Sequence, residues 1–93
     1  MRKLIRVNGD ETDFEAPVSM HEICKHIGCE WIDTVNLADG VHVMIIDDTG
    51  LIDGKPLNQK ATELYWQKCG GPVDHFIAGD VFITPDADFI SDA

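Results

Sequence analysis

The sequence predicts an α+β fold, a mostly antiparallel β-sheet of about five to six short strands with two short helices. Three observations carry that expectation. Short apolar segments are cut by turn signals such as Asn8-Gly9 and Asp53-Gly54. Two longer segments carry apolar residues at helical spacing and have caps at both ends. The strand connections are mostly too short for the dozen residues a parallel crossover needs, so most neighbouring strands run antiparallel.

The first strand is expected over Lys3 to Val7, with Leu4 and Ile5 near its centre. Asn8-Gly9-Asp10 turns the chain in the manner of a hairpin. Asp13 to Ala16 is expected to return, with Phe14 and Ala16 on one face. The first helix carries the clearest local signal. Ser19 and Glu22 form a capping box, and Val18 and Ile23 stand at its staple positions. Met20, Ile23, Cys24 and Ile27 make one apolar stripe, and Gly28 supplies the stop.

Two strands then pair across Ala38-Asp39-Gly40. Trp31 to Leu37 places Trp31, Val35 and Leu37 on one side. Val41 to Asp47 is apolar on both faces, with Val43 and Ile45 opposite Met44 and Ile46, so it is expected at the centre of the sheet and covered twice. His42 is its polar exception. After Asp48-Thr49-Gly50 and the short Leu51-Ile52, a second helix is expected from Asn58, a good N-cap, to Cys69, ended by Gly70-Gly71-Pro72. His75 to Ala78 and Asp80 to Thr84 are the last strands, with Gly79 as a bend between them.

The 93 residues amount to a single domain over 1–93, with a C-terminal tail from about 86 expected to be partly flexible. The basic start, Met1-Arg2-Lys3, is not followed by the apolar run of a secretory signal, and nothing reaches the length of a membrane helix. A cytoplasmic protein is expected. Three cysteines, an odd number, argue against a disulfide framework. Seventeen acids against seven bases give a net charge of −10. Such a surface repels phosphate backbones, which argues against direct nucleic-acid binding and suits either a basic protein partner or mere solubility.

Three stretches carry a family resemblance. They are Trp31 to Leu37, Ile46 to Gly50 with Gly54-Lys55-Pro56-Leu57-Asn58 behind it, and Asn58 to Tyr65 followed by Ile77 to Ile83. In order and spacing they resemble the family called domain of unknown function 3846, across about residues 31–84. The resemblance implies a phage or plasmid origin. It implies no activity and brings no catalytic residues to carry over.

Candidate chemistry is sparse. His21, Cys24, His26, Cys29, Cys69 and His75 are zinc-capable, but no C-x-x-C pair occurs and Cys24 belongs to a core stripe, so no metal is expected. Asp47, Asp48 and Asp53 lack the alternation of a calcium loop, and an Asx turn at Asp48 accounts for them better. Cys69 as a thiol nucleophile beside His75 sits at a helix C-terminus, which disfavours a thiolate. No cofactor is expected, nor catalysis.

Two readings remain. The first is an accessory protein that binds, and thereby inhibits, a host protein through an acidic face drawn from Asp47, Asp48, Asp53, Asp86, Asp88 and Asp92. The second is a module that sequesters a phosphorylated metabolite or nucleotide signal at Lys55, Asn58, Lys60 and Tyr65, where a helix N-terminus favours anions. A homodimer through an edge strand such as Lys3 to Val7 is compatible with so small a domain.

Overall fold

A computed structural model describes residues 2–28, 31–38, 40–49, 54–71 and 76–85. The elements are β1 (Lys3–Ile5), β2 (Glu11–Asp13), α1 (Met20–Ile27), β3 (Ile32–Asn36), β4 (His42–Asp47), α2 (Gln59–Cys69) and β5 (Val81–Pro85). The five strands form one antiparallel sheet in the order β2-β1-β5-β4-β3. The α+β expectation is met, with five strands and two helices among the described residues.

Each face of the sheet is covered by one helix. Leu4, Val43, Ile45 and Phe82 pack with Ile23 and Ile27 of α1. Ile5, Met44, Val81 and Ile83 pack with Ala61 of α2 and with Ile77. Successive strand residues point to opposite faces, so the double apolar character of β4 is the signature of its two covers. The same holds for β5, whose Val81, Phe82 and Ile83 are all buried.

Both helices start and stop as their sequences dictate. Ser19 Oγ accepts the Glu22 N–H at 3.2 Å, and Gly28 closes α1 in the left-handed conformation at φ 68°. Asn58 Oδ1 accepts the Ala61 N–H at 3.1 Å, and Gly70 closes α2 at φ 85°.

Four expectations need correction. The strand after the first turn is Glu11–Asp13, not Asp13 to Ala16. It is wholly exposed, and so lacks the apolar alternation that marks a strand. Phe14 follows it and packs on Phe82 with ring centroids 5.2 Å apart, while Ala16 is exposed. Lys3 to Val7 is not an edge, because β1 lies between β2 and β5. Among the described strands the edges are β2 and β3. Trp31 does not join Val35 and Leu37 against the sheet, since it is 67% exposed just ahead of β3. Among the described part of His75 to Ala78 there is no strand, only a bridge between Leu57 and Ala78.

Among the described residues no helix is long and apolar enough to cross a membrane. The Leu51-Ile52 segment, Cys29, His75 and the tail from about 86 lie outside the described residues.

Candidate functional site

The four residues considered for a phosphorylated ligand each have a structural task. Asn58 is 1% exposed. Its Nδ2 donates to the carbonyls of Ile5 at 3.0 Å and Gly79 at 3.1 Å, while its own N–H donates to Ile77 C=O at 2.7 Å. One side chain thus fastens α2 to β1 and to the approach to β5. Lys55 pairs with Asp47 and donates from Nζ to Gly28 C=O at 2.8 Å, joining the end of β4 to the end of α1. Lys60 pairs with Glu11, which also holds Lys3 at 2.7 Å. Tyr65 is half-buried on α2, and its hydroxyl, bonded to Cys69 one turn on, is pushed above the ordinary phenol range.

A groove of about 410 Å³ does lie at the start of α2, lined by Arg6, Asn8, Gly9, Asn58 and Lys60 among others. Its two cations are already neutralised. Arg6 Nη1 donates to Asp80 Oδ2 at 3.0 Å, and Lys60 holds Glu11. An anion entering here competes with carboxylates for both.

The acidic candidates divide differently. Asp47 is not presented to solvent, since its side chain is only 3% exposed. Burial by itself pushes its carboxyl up. The hydrogen bonds from Lys55 and from the Thr49 backbone outweigh that and hold it below the ordinary carboxylate range. Asp47 makes an Asx turn, with the Thr49 N–H on Asp47 Oδ1 at 3.0 Å, whereas the one expected at Asp48 would close on Gly50, which lies outside the described residues. Asp48 is exposed, and its N–H donates to Trp31 C=O at 3.0 Å, closing the open end of the β3–β4 pair. Asp53, Asp86, Asp88 and Asp92 lie outside the described residues.

Asp48 opens onto a cavity of about 280 Å³, lined by Asp33, Val35, Ile46, Asp47, Asp48, Tyr65, Phe76, Ile77 and Ala78. Asp33 and Val35 share a face of β3, Ile46 of β4 and Asp48 just past its end continue that face, and Tyr65 leans in from α2. Phe76 is shared with an adjoining groove of about 340 Å³ lined by Leu57, Thr62, Glu63 and Trp66. The Trp66 and Phe76 rings meet edge to face, with centroids 5.8 Å apart. Leu57 and Phe76 are 52% and 43% exposed, so apolar area continues outward from the acidic cavity.

Carboxylates accept hydrogen bonds and donate none. Carboxylates at the rim, aliphatic side chains beneath and two aromatic rings beside them suit a long cationic side chain. Its methylenes can lie on Val35 and Ile46, and its charge beside a ring face and an acid. Asp33 and Phe76 are the residues that sequence reasoning missed. The i, i+2 relation of Asp33 to Val35 was the available signal for the first. Phe76 had none, because its place depends on Trp66. Among the described residues no group of three His, Cys, Asp or Glu is placed to hold a metal ion.

A family model described as "Domain of unknown function (DUF3846)" matches residues 1–92. No curated protein and no solved structure matches the chain.

Proposed function

The chain belongs to the DUF3846 family, described only as a domain of unknown function, and on its own residues we propose that it acts by binding a basic surface of another protein rather than by catalysis. The observation that supports this reading most is the cavity where Asp33 and Asp48 meet Tyr65 and Phe76. The net charge of −10 adds long-range steering toward a basic partner. The adjoining Leu57–Phe76–Trp66 surface adds apolar area of the kind that gives an interface its affinity. In biological terms the reading is a phage or mobile-element accessory protein in the host cytoplasm that occupies, and so inhibits, a host protein.

The test is the double variant Asp33→Lys with Asp48→Lys, immobilised beside the wild type and challenged with bacterial lysate at low and at physiological salt. The expected result is that proteins held by the wild type are lost by the variant and wash off with salt. The same proteins retained by both, with no dependence on salt, would overturn the reading.

The groove lined by Arg6, Asn58 and Lys60 keeps the second reading in play, a module that takes up a small phosphorylated ligand. Nucleotide absorbance that accompanies the purified chain, and that disappears in Lys60→Glu, would replace the first reading with this one.

A further inference from the structure

The two edges of the sheet are unlike. β2 is three residues long and wholly exposed, and its Glu11 is held by both Lys3 and Lys60. Such a short charged edge is a poor template for another strand. β3 is five residues long, carries Ile32 and Val35, and contains no lysine or arginine.

The direction of its backbone groups follows from the ladder. The Leu37 N–H donates to His42 C=O at 2.9 Å, and the Asp48 N–H donates to Trp31 C=O at 3.0 Å. Bonded pairs alternate along an antiparallel ladder, so Trp31, Asp33, Val35 and Leu37 bond toward β4. Ile32, Thr34 and Asn36 therefore turn their N–H and C=O groups to the outer edge. Among the described residues β3 pairs with no strand but β4. At that outer edge the Thr34 N–H donates to the neighbouring Asp33 carboxylate at 2.8 Å.

We infer that the outer edge of β3 accepts an extended basic segment of a partner protein as a sixth strand, whose lysine or arginine opposite Asp33 enters the cavity beside Asp48 and Tyr65. This inference rests on the binding reading above and names its mode. Main-chain bonds to Ile32, Thr34 and Asn36 supply register, and the side chains opposite Asp33 and Val35 supply selectivity. The incoming segment then reads basic, any, apolar, because Asp33 and Val35 lie on the cavity face. A cation on Asp33 also draws that carboxylate away from the Thr34 N–H and frees the donor for the ladder. Side-chain bonds of this local kind compete with strand pairing. An acidic partner leaves the guard in place. A second copy brings a further charge of −10 to an edge whose one charged residue is Asp33, and is disfavoured.

The experiment uses a blocked peptide, acetyl-Thr-Lys-Thr-Val-Thr-Lys-Thr-amide, with amide exchange and chemical shifts followed by NMR in the whole chain. Exchange at Ile32, Thr34 and Asn36 is expected to slow by at least about tenfold on saturation. Glutamate in place of lysine is expected to abolish the effect. N-methylation of the threonines, which removes the ladder donors without touching the protein, is expected to weaken binding at least about tenfold. If Asp48, Tyr65 and Phe76 shift while the three amides exchange at their free rates, strand addition is wrong and cavity binding survives. If neither the cavity nor the edge responds, both readings fail. If the three amides slow with rising protein concentration and no peptide, the occupant is a second copy and the inference is overturned.

Discussion

Lys55 and Asp47 form an ion pair across the end of the sheet, and Lys55 carries a second bond to the last turn of α1 through Gly28 C=O. The pair looks inward on one side only. The Asp47 side chain is 3% exposed and that of Lys55 28%. A residue that reads as one of the few free cations of an acidic chain is thus the partner that allows a carboxylate to be buried.

Removing that cation leaves the carboxylate in place without its main compensation. Lys55→Met is expected to destabilise the domain by about 2 kcal/mol, measured as a shift in the urea midpoint, because an uncompensated buried charge costs more than the pair contributes. Adding Asp47→Asn to that variant is expected to restore most of the loss. Strictly additive effects in the two variants would mean that the pair carries no coupling.

Asn58 goes well beyond an ordinary cap. It is buried, its Oδ1 serves α2, and its Nδ2 serves Ile5 and Gly79. Asn58→Ala is expected to cost about 3 kcal/mol, above the ~1 kcal/mol typical of a lost cap, since two buried carbonyls are stranded as well. Asn58→Asp keeps the cap acceptor but turns acceptors toward carbonyls, and is expected to be no better. An Asn58→Asp protein as stable as wild type would show that the Nδ2 bonds contribute nothing.

Ser19 gives the contrasting case of a solvent-exposed cap. Only its bond to the Glu22 N–H is at stake. Ser19→Ala is expected to cost about 1 kcal/mol and Ser19→Gly only a few tenths. Equal midpoints for wild type and Ser19→Ala would remove the cap from the account of α1.

These contrasts mark where the sequence could be read and where it could not. Local rules placed both helices almost to the residue, since Ser19 and Gly28, or Asn58 and Gly70, act within one turn of themselves. Apolar character on both faces of β4 placed it in the interior. Partners distant in sequence were not legible. Asn58 meets Ile5 across 53 positions, and Lys60 meets Glu11 across 49. Nothing local to Lys55 or Lys60 tells a paired lysine from a solvated one. The wholly polar β2 was misplaced for a similar reason. Its position comes from pairing Lys3 with Asp13 and Ile5 with Glu11, and not from a face of its own. The cavity at Asp48 was half legible, because Asp48 and Tyr65 were singled out for different ligands and the fold puts them at one site.

Acid stability follows from the same pairs. Asp47 is held below the ordinary carboxylate range against its own desolvation, and Glu11 is held below it by its hydrogen bonds from Lys3 and then Lys60. A carboxylate with a depressed folded-state pKa takes up fewer protons folded than unfolded. Its contribution is therefore complete above the unfolded value, near 4, and is lost as pH falls through the lower folded value. Lys3, raised chiefly by its hydrogen bond to Glu11, has the opposite sign. Its contribution is present below about 10.5 and fades as pH rises beyond that. Stability is thus expected to fall on acidification below about pH 4, with the two carboxylates separable by salt. Glu11 lies in an exposed cluster that salt screens, whereas Asp47 is shielded from it. Denaturant melts at several pH values check this in wild type, Glu11→Gln and the Lys55→Met/Asp47→Asn pair. High salt is expected to bring the acid limb of wild type close to that of Glu11→Gln. The pair variant is expected to keep a shallower limb at every salt, by up to one proton or about 1.4 kcal/mol per pH unit. If the pair variant follows the wild-type limb at high salt, Asp47 does not govern the acid transition.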